Sequence, residues 1–280
     1  VESGYPRTLL FVPGHRESMV ARAFERGADA IVFDLEDSVP PSEKVNARRL
    51  VSDTIGTWPS GAAPRVYVRI NSPRLKLLEE DIDVLNVAPV AGVVVPKVDF
   101  PIELQAIFER LGNRDRDVIV NIETPRSIMH AEEFAKTHGV GGLFLGGEDL
   151  TESLGMQRSA EGDELAIPRF LLLDACRAAG IAAYDTICPE FRDPETVYRD
   201  ALYASSMGFD GKFAIHPSQI EPIQRAFTPS DVEVVEARRI VDAFDQAVAE
   251  GMAAVAVDGK MIDPPVAERA RALLTRAGRA

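Results

Sequence analysis

Eight short apolar runs recur along the chain, each followed by a stretch with helical spacing. The runs are TLLFVPG (8–14), DAIVFDLED (29–37), RVYVRIN (65–71), AGVVVPKV (91–98), DVIVNIET (117–124), GGLFLGGED (141–149), IAAYDTIC (181–188) and FDGKFAIHP (209–217). Their apolar residues are continuous rather than alternating, which is how strands buried on both faces read. Between them, segments such as RESMVARAFERGA and IELQAIFERLG space apolar residues at helical intervals and carry Gly near the close. Eight such units in about 225 residues predict an α/β fold, a (β/α)₈ TIM barrel, ahead of a doubly wound open sheet that would leave strands over.

From Thr228 the pattern changes. PSDVEVVEARRIVDAFDQAVAE reads as a long charged helix, GMAAVAVDGKMIDPP as a short extended piece, and the rest as a final helix to Ala280. The expected organisation is therefore a catalytic barrel over 1–227 and a C-terminal helical extension with an arm over 228–280. Valines followed by Asp-Gly suit a small hairpin. Such an arm either caps its own barrel or reaches a neighbouring subunit, and composition favours neither.

Charge and cysteine content narrow the function. The 280 residues carry a net charge of −13, which argues against nucleic acid, since phosphate backbones call for a basic face. Only Cys176 and Cys188 occur, too few for a disulfide framework, so a reducing cytoplasm is expected. No apolar run reaches the length of a membrane span, and Val1 opens no signal-peptide pattern.

In a barrel of this kind the active site lies at the carboxyl ends of the strands. Reading only those positions collects Asp34, Glu36, Asp37, Arg69, Asn71, Lys97, Glu123, Glu148, Asp149, Asp185 and His216. Carboxylates gathered there repel one another, and a hard divalent cation, Mg²⁺ or alternatively Mn²⁺, relieves that repulsion. Glu123 and Asp149 each close an apolar run and lie 149 − 123 = 26 residues apart, one βα unit, which makes them the expected ligands on adjacent strands. Glu36 and Asp37 are then candidates to hold metal-bound waters. The competing reading is a structural ion-pair network in which Arg69 and Lys97 neutralise the acids. Zinc fits poorly, with four His in all and no CxxC pair. Arg69 suits a carboxylate or thioester oxygen through its planar fork, and Lys97 reads as electrostatic support. His216 reads as a hydrogen-bonded strand-end residue and Cys188 as buried filler. PGHRESM, with Arg16, opens a helix whose amino end could receive a phosphate.

In this order, LLFVPGHRESM, IVFDLEDSVPPSEKVNAR, VYVRIN, VVVPKV, IETP, GGEDL and FAIHPSQI resemble the citrate lyase β-subunit-like (HpcH/HpaI aldolase) group, which includes malyl-CoA and citramalyl-CoA lyases. The match runs along nearly the whole chain. SVPP after DLED departs from the group's usual Gly. The resemblance implies a Mg²⁺-dependent carbon–carbon lyase acting on a small 3-hydroxyacyl-CoA thioester. Glu123 and Asp149 would be its metal ligands, and Arg69 its catalytic substrate contact. GKMIDPP is similar to a segment of the malyl-CoA lyase-like branch whose Asp, here Asp263, reaches a neighbour's site, implying a homo-oligomer, a trimer or dimer of trimers. The alternatives are a citrate lyase β subunit within its complex, a synthase or thioesterase on similar thioesters, and a non-catalytic metabolite-binding barrel.

Overall fold

Each of the eight apolar runs forms a strand: β1 (Thr8–Pro13), β2 (Ala30–Asp34), β3 (Arg65–Arg69), β4 (Gly92–Val95), β5 (Asp117–Ile122), β6 (Val140–Leu145), β7 (Ala182–Asp185) and β8 (Gly211–Ala214). This computed structural model describes residues 4–59, 63–86, 90–112, 116–159 and 162–278. All neighbouring strands run parallel, and β8 returns to pair with β1, Leu9 opposite Phe213, so the sheet closes as a barrel. The expected TIM barrel is the observed fold, and the open sheet is excluded. Helices alternate with the strands, as right-handed parallel crossovers require.

The barrel interior is filled, not open. Leu9, Ala30, Val32, Tyr67, Val94, Ile119, Phe144, Ala182, Tyr184 and Phe213 form one buried cluster. Neighbouring strands place their inward residues in register, such as Val32 beside Tyr67 and Phe144 beside Tyr184. The Phe144 and Phe213 rings stack with centroids 3.9 Å apart, and Phe11 lies 4.9 Å from Phe213. Together they form an aromatic floor beneath the carboxyl-end mouth.

Tyr5–Ile223 make up the barrel unit, and the residues from Gln224 onward form a second unit. In that second unit the helix Asp231–Ala249 starts from a capping box in which Ser230 Oγ accepts from Glu233 N and the Glu233 carboxylate accepts in return. The expected hairpin is present: β9 (Val255–Val257) pairs antiparallel with β10 (Lys260–Ile262). Its two turn residues, Asp258 and Gly259, have φ of 50° and 76°, the left-handed pair that a tight hairpin turn needs. Asp263 then caps the last helix, Pro264–Ala277, accepting from Val266 N at 3.2 Å. Phe244, Ile262 and Ala267 are the small core of this unit. Positions 1–3 and 279–280, including the start of the chain and the last residues of the predicted final helix, lie outside the described residues.

Candidate active site at the carboxyl end of the barrel

Strand parity decides which side chains enter the mouth, because alternate residues point to opposite faces. Continuing the inward series beyond the core gives Phe11 and Pro13 from β1, Asp34 from β2 and Arg69 from β3. Asn121 follows Ile119 on β5, Gly146 follows Phe144, Thr186 follows Tyr184, and Ile215 follows Phe213. All of these line one cavity of about 300 Å³, together with Asp37, Ser38, Gly147, Glu148, Asp149 and Ile187. Asp34, Asp37, Glu148 and Asp149 give the cavity an acidic lining, and Phe11, Phe144, Ile187 and Ile215 an apolar one.

Arg69 organises the first group of acids. Its Nε and Nη2 donate to the two Asp34 carboxylate oxygens at 2.7 Å each, and its guanidinium lies 4.7 Å above the Phe11 ring. Nη1 is 3.2 Å from Glu36 Oε2, an oxygen that is buried and lacks an aligned hydrogen bond. Burial would raise the Asp34 carboxyl, but the Arg69 charge and hydrogen bonds prevail and hold it below the usual carboxylate range. Lys97 serves the same group: its Nζ is 2.6 Å from Glu36 and 2.7 Å from Asp37. Lys97 adopts φ of +55°, a costly conformation for a residue with a Cβ. That turn of the backbone aims the Lys97 N–H at Glu123 Oε1, at 2.6 Å, while its side chain spans to the β2 acids.

Glu123 and Asp149 are different. Among the described residues neither takes part in a salt bridge. Glu123 is 1% exposed. Burial, then the charges of Asp149 and Glu36, push its carboxyl up to about 8. Burial also raises Asp149. Glu123 Oε2 accepts from the Asn121 amide nitrogen, and Ser127 Oγ accepts from the Glu123 backbone N–H at 3.1 Å. The two carboxylates follow β5 and β6, paired neighbours in the barrel. Gly146 makes their approach feasible, because a Cβ there would lie 2.4 Å from Glu123 Cβ and 2.6 Å from Asn121 Oδ1.

This donor set fits a hard divalent cation. Two carboxylates with no salt-bridge partner among the described residues, beside a cavity open to water and substrate oxygens, are what Mg²⁺ typically takes from protein. No cluster of three or more His, Cys, Asp or Glu arranged for a metal occurs among the described residues. Zinc, which prefers a closed nitrogen or sulfur set, fits poorly.

Of the other residues singled out in the sequence, several lie elsewhere. Arg16 is exposed at the start of the four-residue helix Glu17–Val20 and does not line the cavity. His216 caps the short helix Pro217–Gln219, its Nδ1 accepting from Ser218 N at 3.2 Å. Asn71 is held by buried Asp81, at 2.7 Å. Glu148 does line the cavity and pairs with Arg158 at 2.8 Å. Cys188 and Cys176 are buried free thiols, pushed up by burial to about 11 and about 12. Asp185 has outward parity and sits in a fully buried pair with Arg169 and Lys212, at 2.8 and 2.6 Å. Asn121 and Thr186, by contrast, were not singled out although they line the cavity. Period-2 counting back from Glu123 and forward from Tyr184 is the signal that finds them.

A family model for "HpcH/HpaI aldolase/citrate lyase" matches residues 7–217. The chain belongs to the HpcH/HpaI aldolase/citrate lyase family. With that family it is an enzyme of the carbon–carbon lyase type. Citrate lyase subunit beta of Escherichia coli (strain K12) is 36% identical over 281 residues, covering 97% of this chain and 93% of that protein. A (3S)-malyl-CoA thioesterase of Cereibacter sphaeroides (strain KD131) is 32% identical over 271 residues, covering 97% and 94%. Among solved structures, protein CitE from Mycobacterium tuberculosis in complex with magnesium, acetoacetate and coenzyme A superposes with a TM-score of 0.85. It is 32% identical and covers 99% of this chain and 100% of that one. No helix of the described residues is long and apolar enough to cross a membrane.

Proposed function

We propose that this chain is a Mg²⁺-dependent lyase for a small 3-hydroxyacyl-CoA thioester of the malyl-CoA or citramalyl-CoA kind, yielding an acyl-CoA and a 2-oxo acid. One observation carries the reading: Arg69 and Lys97 neutralise Asp34, Glu36 and Asp37, whereas Glu123 and Asp149 have no salt-bridge partner among the described residues. Mg²⁺ or Mn²⁺ held by these two acids supplies, when bound, Lewis-acid polarisation of the oxygen that becomes the 2-oxo group. In this reading Glu36 and Asp37, tied to Lys97, orient water beside that site.

The chain's own residues do the rest. Arg69, its plane fixed by Asp34 and Phe11, has N–H groups left over for a thioester oxygen on which enolate charge develops. The wall of Phe11, Phe144, Ile187 and Ile215 takes a hydrogen or methyl substituent and excludes water. Asp263 exchanges the proton at the acyl α-carbon, as acid in cleavage and base in condensation, from a neighbouring protomer of a homo-oligomer. The position of Asp263 in GKMIDPP, after a hairpin, supports that part. Coenzyme A is taken as part of the substrate, a reading supported by the CitE structure in complex with coenzyme A, and Arg16 is the candidate contact for its phosphates.

The second reading is a citrate lyase β subunit working on a citryl thioester, favoured by the 36% identical relative of that name. Against it, Arg69 is the one cationic side chain among the described cavity-lining residues, and Asp34 already engages it. A citryl group would bring an additional carboxylate to share the N–H groups of Arg69 that the thioester oxygen uses. Purified protein with Mg²⁺, assayed against malyl-, citramalyl- and citryl-CoA for released 2-oxo acid, separates the readings. Turnover of malyl- or citramalyl-CoA that chelation abolishes supports the proposal. Turnover of citryl-CoA alone transfers it to the second reading, free CoA without oxo acid indicates a thioesterase, and metal-independent or absent turnover overturns it.

A further inference from the structure

The helix Gly147–Ser153, whose first turn carries Glu148 and Asp149, is held from two sides. On the β5 side a backbone bond does it, Gly146 N donating to Ile122 O at 2.9 Å. On the β7 side the strand ladder ends early: β6 and β7 pair only through Gly142–Ala182, Leu143–Ala183 and Phe144–Tyr184. Beyond that register, among the described residues, the one hydrogen bond from this turn to the β7 exit is Gly147 N donating to Thr186 Oγ at 3.1 Å. Gly147 is itself shaped for this contact, since a Cβ there would lie 2.6 Å from Thr186 Oγ.

Thr186 is in turn held rigidly from behind. It is fully buried and follows Asp185, whose carboxylate accepts from Arg169 Nε and Nη2 at 2.8 and 3.0 Å and from Lys212 Nζ at 2.6 Å. Asp200 completes the set, 2.8 Å from Lys212 and 3.3 Å from Arg169. Two cations and two carboxylates thus clamp the carboxyl end of β7 to β8 and to the helices Ala166–Ala179 and Pro194–Met207. Buried ion networks contribute little net stability compared with apolar packing, and their best-attested use is to fix register. Here the register that is fixed is that of Thr186.

We propose that Thr186 is a positioning residue: its hydroxyl, anchored through the Asp185–Arg169–Lys212–Asp200 network, holds the Gly147–Asp149 turn where Asp149 can share a divalent cation with Glu123. The inference rests on the metal-ligand reading given under Proposed function. Second-layer groups that orient ligands typically account for about 10–100-fold in metal affinity, so Thr186→Val should weaken binding by roughly that factor.

The test titrates the full-length protein with Mn²⁺, following free ion by electron paramagnetic resonance, alongside thermal unfolding. Thr186→Val, which keeps the shape but leaves the buried Gly147 N–H without its acceptor, is expected to fold but to unfold a few degrees below the wild type, and to bind Mn²⁺ about tenfold or more weakly. Thr186→Ser, which keeps the hydroxyl, is expected to bind as the wild type does. If Thr186→Val does not fold, Thr186→Ala carries the same comparison. Wild-type affinity in the Val or Ala variant, or loss of affinity in Thr186→Ser equal to that in Thr186→Val, overturns the positioning role. Failure of the wild type to bind Mn²⁺ instead overturns the metal-ligand reading, so the two failures are distinguishable.

Discussion

Metal binding at this site should expel a proton. Burial, then the Asp149 and Glu36 charges, push the Glu123 carboxyl up to about 8. At pH 7 such a group is protonated in about nine-tenths of metal-free molecules, from the ordinary titration relation. A ligand carboxyl must lose its proton to bind, so each Mg²⁺ bound at pH 7 should release about 0.9 proton, falling to about half at pH 8. The apparent affinity should rise about tenfold per pH unit up to pH 7 and flatten above 8. Calorimetric titration in two buffers of different ionisation heat measures the released protons directly, and Glu123→Gln should abolish the release. The sign for stability is opposite to that of an ordinary paired carboxylate. Because the folded value lies above the unfolded one, the folded state binds more protons between about 4.5 and 8, and metal-free stability should fall as pH rises across that window. Saturating Mg²⁺ should remove the fall. Fewer than about 0.2 proton released at pH 7, with affinity flat from pH 6 to 7.5, would refute the reasoning.

Three further outcomes are expected. Arg69→Lys should lower kcat by about 100-fold, since one ammonium cannot replace two aligned bonds to Asp34 and still reach substrate; a near wild-type rate would make the role purely one of charge. Gly146→Ala should weaken Mn²⁺ binding more than tenfold, as its Cβ would overlap Glu123 and Asn121, and unchanged affinity in a calorimetric titration would count against the close approach. Asp263→Asn should leave the unfolding temperature nearly unchanged, because Asn caps a helix as well as Asp does, while proton exchange at the acyl α-carbon, followed by deuterium incorporation, is lost; mixing it with Glu123→Ala under proven subunit exchange should restore some activity, and mixtures that stay inactive would exclude action between subunits.

The barrel was legible because every run of buried apolar residues ended within a few positions of the observed strand. What the runs do not display is parity. Asp185 and Thr186 are adjacent, and the charged residue draws attention; yet Tyr184 points inward, so Thr186 enters the cavity and Asp185 turns out towards the helices. Lys97 shows the converse. Its positive φ re-aims the chain after β4, a conformation that nothing in VVVPKV announces. Arg69 and Lys97 pair with the acids after β2, whereas Glu123 and Asp149 have no salt-bridge partner among the described residues. Partner choice of that kind depends on side-chain reach across strands, which spacing along one chain does not encode. Arg169 and Lys212, buried without exposure, look in the sequence like ordinary solvent-facing charges, because their acidic partners come from distant elements.

Phe11 and Phe144 line the cavity and pack on buried Phe213 in the filled barrel interior, and this has a kinetic consequence. On the proposed cleavage, a product seated nearer the mouth would depart before one seated against the rings, so release would be ordered and the deeper product would be trapped by re-entry of the other.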